Sequence, residues 1–227
     1  MNETNNDNLL SKQASKQASK QASKQASKQA SGISEKHIVY ASDNKFAPLL
    51  VTSIVSILEN SVCERMHFYI LNCGIAEDSM KLIQKKVCSY NSFVEFIPVD
   101  TDHFNANSNI RITSEWPITI LARLFLQDYL PKHVKKALYL DCDTIILKDI
   151  DSIWNTDLSH YMIAGVKDAM DDRYKHLINL LPTDIYINSG VVLYSLDKIR
   201  EERILLSGRL NDASSSTLFG ADSQMVA

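Results

Sequence analysis

Asp141 and Asp143 set two carboxylates inside the apolar run Leu138-Tyr139-Leu140-Asp141-Cys142-Asp143-Thr144-Ile145-Ile146-Leu147. A run so rich in Leu, Ile and Tyr reads as a buried strand in the interior of a parallel sheet. Burying two anions there without partners is prohibitively costly, so they belong where the strand ends or share a cation. Side chains at i and i+2 of a strand leave the same face, which lets Asp141 and Asp143 converge on one ion. Their oxygens suit a hard divalent cation such as Mg or Mn. A diphosphate is the natural group for that cation to hold, and the run points to metal-dependent chemistry on a nucleotide. Taken alone, Asp-x-Asp also describes a strand-end turn with two solvated carboxylates; its flanks favour the metal.

Three further groups carry polar chemistry in apolar settings. Ala41-Ser42-Asp43 closes a predicted strand, where Asp43 holds a base or ribose or else caps the next helix. Arg123 lies on an apolar helix and is a bidentate partner for phosphate or for an orienting carboxylate, or an exposed residue paired with Asp128 or Glu115. Asn188-Ser189-Gly190 interrupts an apolar strand, where Gly190 admits a ligand close to the backbone or marks a β-bulge. No histidine pair has the spacing of a zinc helix, and His103, His133, His160 and His176 read as loop or surface residues. Cys63, Cys73, Cys88 and Cys142 lack a C-x-x-C pair and read as free thiols, mostly packed as small apolar groups. The absence of a Gly-rich phosphate loop, a Walker motif and a Ser-His-Asp arrangement argues against nucleotide hydrolysis and dinucleotide redox chemistry.

The elements that must position these groups alternate strand and helix. Strands are predicted at His37–Ser42, Met66–Leu71, Phe93–Val99, Tyr161–Val166 and Ile185–Leu193, besides the carboxylate run. Helices are predicted at Phe46–Leu58, Ala76–Val87, Pro117–Leu130 and Leu196–Leu206, with a short one near Ile150–Trp154. Such alternation indicates an α/β sheet with helices on both faces, and ligands in these sheets sit beyond the carboxyl ends of strands, where Asp43, Asp141 and Asp143 fall.

At 227 residues the chain is long enough for one sizeable core or a core plus an appendage, and 45% hydrophobic with 22% charged residues is ordinary for a soluble globular protein. No stretch has the uninterrupted apolar length of a spanning helix, and Met1–Leu10 lacks the apolar core of a secretory signal, so the default expectation is cytoplasmic. Residues 1–34 carry five lysines against Glu3 and Asp7, so a net charge of −3 leaves the remaining body at −6. An acidic body argues against nucleic acid as the partner.

From Ser11 to Ser31 the chain repeats Ser-Lys-Gln-Ala five times and begins a sixth. The repeat has no large apolar residue, so it reads as a solvated disordered tail, 1–34, ahead of a domain at 35–227. The codons AGC-AAG-CAA-GCA would encode Ser-Lys-Gln-Ala as three copies of AGCA. Gain or loss of one tetranucleotide shifts the reading frame, so the tract is expected to switch expression on and off, a device suited to products displayed on a bacterial surface. Scattered synonymous codons would sink that expectation.

In order along the chain, Ile38-Val39-Tyr40-Ala41-Ser42-Asp43, Ile118-Thr119-Ile120-Leu121-Ala122-Arg123-Leu124, Leu138-Tyr139-Leu140-Asp141-Cys142-Asp143 and Tyr186-Ile187-Asn188-Ser189-Gly190-Val191 resemble the motifs of glycosyltransferase family 8. The resemblance spans about His37 to Gln224 and implies an α/β GT-A fold, a mixed, mostly parallel sheet flanked by helices. It implies that Ala41 and Asp43 contact uridine, and that Asp141 and Asp143, flanking Cys142 in the donor site, ligate Mn (or Mg) on the diphosphate, Asp141 also lying near the ribose. Arg123, Asp168, Asn188 and Ser189 would surround the donor sugar, with Arg123, Asp168 and Asp222 as catalytic candidates. The family retains anomeric configuration, and a front-face route is favoured for it.

The chain departs from the family pattern at Asp222-Ser223-Gln224-Met225-Val226-Ala227. There Asp222 fits Asp-Gln-Asp-x-x-Asn, but Ser223 replaces a donor-site Gln. The family's following His-x-x-Gly-x-x-Lys-Pro-Trp, whose His ligates metal, and its basic membrane-attaching tail are absent. The reading is therefore of a C-terminally truncated, retaining, metal-dependent hexosyltransferase. It would move galactose or glucose from UDP-galactose or UDP-glucose to a lipooligosaccharide acceptor, with peripheral membrane contact assigned to the missing segment. The alternatives are a catalytically impaired UDP-sugar-binding product of a phase-variable gene, and a sugar nucleotidyltransferase, disfavoured because no Gly-rich, Arg/Lys-containing loop follows Tyr40.

Overall fold

A computed structural model of the chain describes residues 35–61, 65–100, 117–169, 171–177, 180–201 and 225–226. The Ser-Lys-Gln-Ala tract, Cys63, His103, Glu115, Asp222, Ser223, Gln224 and the end of the last predicted helix lie outside these residues. Strand β1 (Lys36–Ser42) leads to helix α1 (Ala47–Asn60), which carries Pro48 in its first turn, where a missing N–H costs nothing. Next come β2 (Met66–Asn72), α2 (Glu77–Cys88) and β3 (Phe93–Pro98). Glu77 and Asp78 open α2 and Lys85 and Lys86 close it, each matching the sign of the helix dipole. Asn91, at φ 55°, then turns the chain toward β3.

The segment predicted as one helix from Pro117 to Leu130 is broken into α3 (Ile118–Leu121), a 3-10 turn (Ala122–Phe125) and α4 (Leu126–Tyr129). The tighter turn eclipses residues three apart, so Ala122 and Phe125 both bury while Arg123 points away to pair elsewhere. Then follow β4 (Lys136–Leu140), α5 (Asp151–Trp154), β5 (Ile163–Lys167), α6 (Asp172–Leu177), β6 (Ile187–Ser195), α7 (Leu196–Glu201) and β7 (Met225–Val226). Among the described residues, seven strands form one sheet in the order β3-β2-β1-β4-β6-β5-β7. Pairing is parallel from β3 through β4 and between β5 and β7, and antiparallel where β6 meets β4 and β5. The sheet is thus mixed and mostly parallel, in the arrangement of the GT-A fold.

Period-two alternation divides the central strands between two cores. Ile38, Tyr40, Phe68, Ile70, Leu138 and Leu140 pack with Leu50, Ile54 and Ile57 of α1 and Ile83 and Val87 of α2. Val39, Ala41, Tyr69, Leu71, Ala137 and Tyr139 pack with Leu121, Ala122, Phe125, Leu126 and Leu196. With both faces covered, these strands carry near-continuous apolar runs. No helix among the described residues is long and apolar enough to cross a membrane.

Candidate active site

The parallel strands β1 and β4 end side by side, and β6 begins antiparallel to β4 at the same edge. Leu140 pairs with Val191, and the Asp141 N–H donates to the Gly190 carbonyl at 2.8 Å. The strand stops at Leu140, earlier than the apolar run suggested, because Asp141–Thr144 closes a turn in which the Thr144 N–H donates to the Asp141 carbonyl at 3.1 Å. Asp141 and Asp143 therefore leave a turn, and strand periodicity does not place them. Asp141 is half-buried and Asp143 exposed.

Arg123 does not pair with Asp128. Its side chain is 12% exposed, and the guanidinium sits 3.0 Å from Asp141 Oδ1 and donates to the Ser189 carbonyl at 2.9 Å and to Ser189 Oγ at 3.4 Å. It also donates to the Ile120 carbonyl at 3.1 Å and lies 4.7 Å above the Tyr139 ring, a cation–π arrangement. The Tyr139 hydroxyl donates to the same Asp141 Oδ1 at 2.9 Å. Burial pushes the Tyr139 hydroxyl well above its ordinary pKa, and donation to the adjacent Asp141 carboxylate pushes it the same way, so it remains a donor. Burial likewise pushes Tyr194, close to Arg123 and Asp141, up to about 12.

Asp141 thus has one oxygen held and one open. No hydrogen bond from the described residues reaches Oδ2, and a Cβ added at Gly190 would lie 2.8 Å from it and 3.1 Å from Asn188 Oδ1. Gly190 admits the Asp141 carboxylate itself, a nearer reason than approach by a ligand. Asn188 Oδ1 accepts the Gly190 N–H at 2.9 Å. Pairing of β5 with β6 shifts register between Gly165 and Lys167, which face Val192 and Ile187, so the ladder is irregular across Asn188-Ser189-Gly190.

Asp43 Oδ1 accepts the Phe46 N–H at 3.0 Å, so the carboxylate closes the turn into α1. Buried Ala41 accepts the Cys142 thiol on its carbonyl at 3.3 Å, tying the ends of β1 and β4. Asp168 follows β5 and its N–H donates to the Tyr186 carbonyl at 2.8 Å, which puts it at the same edge, beside the start of β6. The edge therefore gathers Ala41, Asp43, Arg123, Asp141, Cys142, Asp143, Asp168, Asn188 and Ser189. Sequence reasoning missed Tyr139 because its ring reads as core; a Tyr two residues before a carboxylate was the available signal.

Cysteine burial is uneven: Cys142 is buried, Cys73 intermediate and Cys88 exposed. Desolvation pushes the Cys142 thiol up to about 11 and the Cys73 thiol up to about 12. Alkylation requires an accessible thiolate, so at pH 8 the exposed Cys88 is expected to react first among the described cysteines, with Cys142 about a hundredfold or more slower than an ordinary thiol. Peptide mapping after timed iodoacetamide treatment checks the order; early labelling of Cys142 would contradict the closed turn.

Two carboxylates with an open oxygen suit Mg or Mn, which proteins hold through one or two carboxylates together with substrate phosphates. Among the described residues, no group of three or more His, Cys, Asp or Glu gathers where it could hold a metal ion.

The strand order and mixed pairing of the sheet are those of the GT-A fold. The chain belongs to glycosyltransferase family 8, whose model matches residues 37–208. It is 34% identical over 173 residues to a putative glycosyltransferase of Haemophilus influenzae, covering 74% of this chain and 51% of that protein. It is 30% identical over 172 residues to general stress protein A of Bacillus subtilis, covering 74% and 58%. The chain thus spans little more than half the length of these curated relatives. Among solved structures, an active-site mutant of LgtC superimposes with a TM-score of 0.66 at 24% identity, covering 83% of this chain and 72% of that one. The galactosyltransferase LgtC in complex with donor and acceptor sugar analogs gives 0.65 with the same identity and coverage.

Proposed function

We propose that the chain is a retaining, divalent-metal-dependent hexosyltransferase that uses UDP-galactose or UDP-glucose and delivers the sugar to a lipooligosaccharide acceptor. Residues 35–227 would form the glycosyltransferase domain; Lys36–Ala227 makes one unit by its contacts. The observation that carries the reading is the divided Asp141 carboxylate, with Oδ1 held by Arg123 and Tyr139 and Oδ2 facing the space that Gly190 leaves. Asp141 Oδ2 and Asp143 would hold Mn or Mg on the donor diphosphate, and the bound ion supplies Lewis-acid neutralisation of charge developing on the leaving phosphate. Ala41 and Asp43 line the adjacent end of β1, where a uridine would lie. Arg123, with Ser189, Asn188 and Asp168, would orient the hexose, Arg123 doing so through donors already fixed in direction. Asp222 is proposed as a further catalytic group from the family motif. A location at the cytoplasmic face of a membrane suits a lipid-linked acceptor.

Release of UDP from UDP-galactose and UDP-glucose, with and without Mn, tests the reading. The parent chain is expected to release UDP only with metal, and Asp143→Asn to reduce release by about a hundredfold or more, as expected for loss of a group that stabilises transition-state charge. Release that is independent of Mn and unchanged in Asp143→Asn would overturn it. Formation of a sugar nucleotide in place of UDP would point to nucleotidyl transfer.

A further inference from the structure

Beyond Leu140, among the described residues, strands hold the turn only through the Asp141 N–H bond to Gly190 and the Cys142 thiol bond to Ala41, yet the turn must keep two carboxylates in place. Helix α1, on the face of the sheet opposite α3, reaches this turn with three polar side chains. Ser53, Ser56 and Asn60 recur at i, i+3 and i+7 and so form one stripe. Ser53 Oγ lies 3.0 Å from Thr144 Oγ1 and 2.9 Å from the hydroxyl of Tyr40 on β1. Ser56 Oγ accepts the Ile146 N–H at 2.9 Å and donates to the Ser53 carbonyl at 2.7 Å. Asn60 Nδ2 donates to the Ile146 carbonyl at 2.9 Å.

The directions of the buried bonds follow from counting protons. Thr144 Oγ1 lies 2.8 Å from the Asp141 carbonyl, which can only accept, so the single Thr144 hydroxyl proton is committed there. Thr144 must then accept from Ser53, and Ser53, its own proton used, must accept from Tyr40. The result is a one-way chain, Tyr40 to Ser53 to Thr144 to the backbone of Asp141. Ser53 and Tyr40 are wholly buried, so each break in the chain strands a polar group away from water. Serine is an indifferent helix former, which makes the buried Ser53 in α1 a cost in propensity.

We propose that Ser53, Thr144 and Tyr40 are positioning residues that set the carboxylate turn from behind the sheet and thereby tune metal affinity at Asp141 and Asp143. The inference rests on the donor-site reading above. Thr144→Val keeps the shape and removes the hydroxyl, whereas Thr144→Ser keeps it. Mn is titrated against UDP binding by calorimetry on the full chain, and amide hydrogen exchange is followed over residues 141–147. Thr144→Val is expected to weaken apparent Mn affinity about 10–100-fold, the scale of losing an outer partner of a metal ligand, while Thr144→Ser stays within about twofold. Exchange over 141–147 should quicken in the valine variant alone. Tyr40→Phe removes only the terminal donor and should shift affinity in the same direction by less; it also decides the matter if Thr144→Val does not fold. Parental Mn affinity in both Thr144→Val and Tyr40→Phe overturns the proposal, as does a serine variant as weak as the valine one. A parent chain that binds UDP without regard to Mn overturns the donor-site reading, and the proposal with it.

Discussion

Asp141→Asn is expected to lower UDP-sugar turnover about a thousandfold, or about 4 kcal/mol of transition-state stabilisation, while the chain still folds. The amide oxygen can still accept from Tyr139 and Arg123, which hold Oδ1 at 2.9 and 3.0 Å. What disappears is the negative charge and the anionic Oδ2 that would face the metal. Arg123 also loses its counter-ion, and because Asp141 is 33% exposed the stability loss should fall between the ~1 kcal/mol of an exposed pair and the ~3–5 kcal/mol of a buried one. Steady-state kinetics at saturating Mn, set beside urea unfolding, separates the two effects. Turnover within tenfold of the parent would remove Asp141 from the proposed metal site.

Gly190→Ala tests the same oxygen by steric means alone. Its Cβ would stand 2.8 Å from Asp141 Oδ2, well inside an ordinary carbon–oxygen contact, so one partner must shift. The carboxylate cannot swing freely because Oδ1 is held from two sides, and the backbone carbonyl of Gly190 is tied to the Asp141 N–H. A displacement of about half an ångström at the proposed metal ligand is expected to lower kcat about 10–100-fold. Gly190 φ lies outside the left-handed region, so alanine brings no backbone strain, and the melting temperature should change little beside the activity. A variant that keeps parental kcat and Mn dependence would show that Oδ2 has room to move and is no ligand.

The residues that gather at the sheet edge were legible where local composition was anomalous. Two carboxylates in an apolar run, a lone Arg among Ile and Leu, and Asn-Ser-Gly inside a strand each violate the pattern around them, and the structure brings all three to one sheet edge. The alternation of strands and helices was legible too, because each central strand is covered on both faces and must be apolar throughout. The break at Ala122–Phe125 was not, since its side chains suit a continuous helix as well as the 3-10 turn that aims Arg123 at Asp141. Nor was the end of β4 at Leu140, because Thr144, Ile145 and Ile146 have the composition of a strand and it is the turn bonds to Asp141 that end it.

By itself the amino-acid sequence determined the α/β class, the order of elements and the carboxylates on offer, since these depend on periodicity and on the cost of burying charge. The partners were decided only by tertiary structure. Arg123 meets Asp141 and Ser189, and Ser53 meets Tyr40 and Thr144, across separations of up to 91 residues. A hydrogen bond is satisfied over about 3 Å by whichever donor the fold delivers, and neither residue type nor spacing along the chain specifies which one that will be.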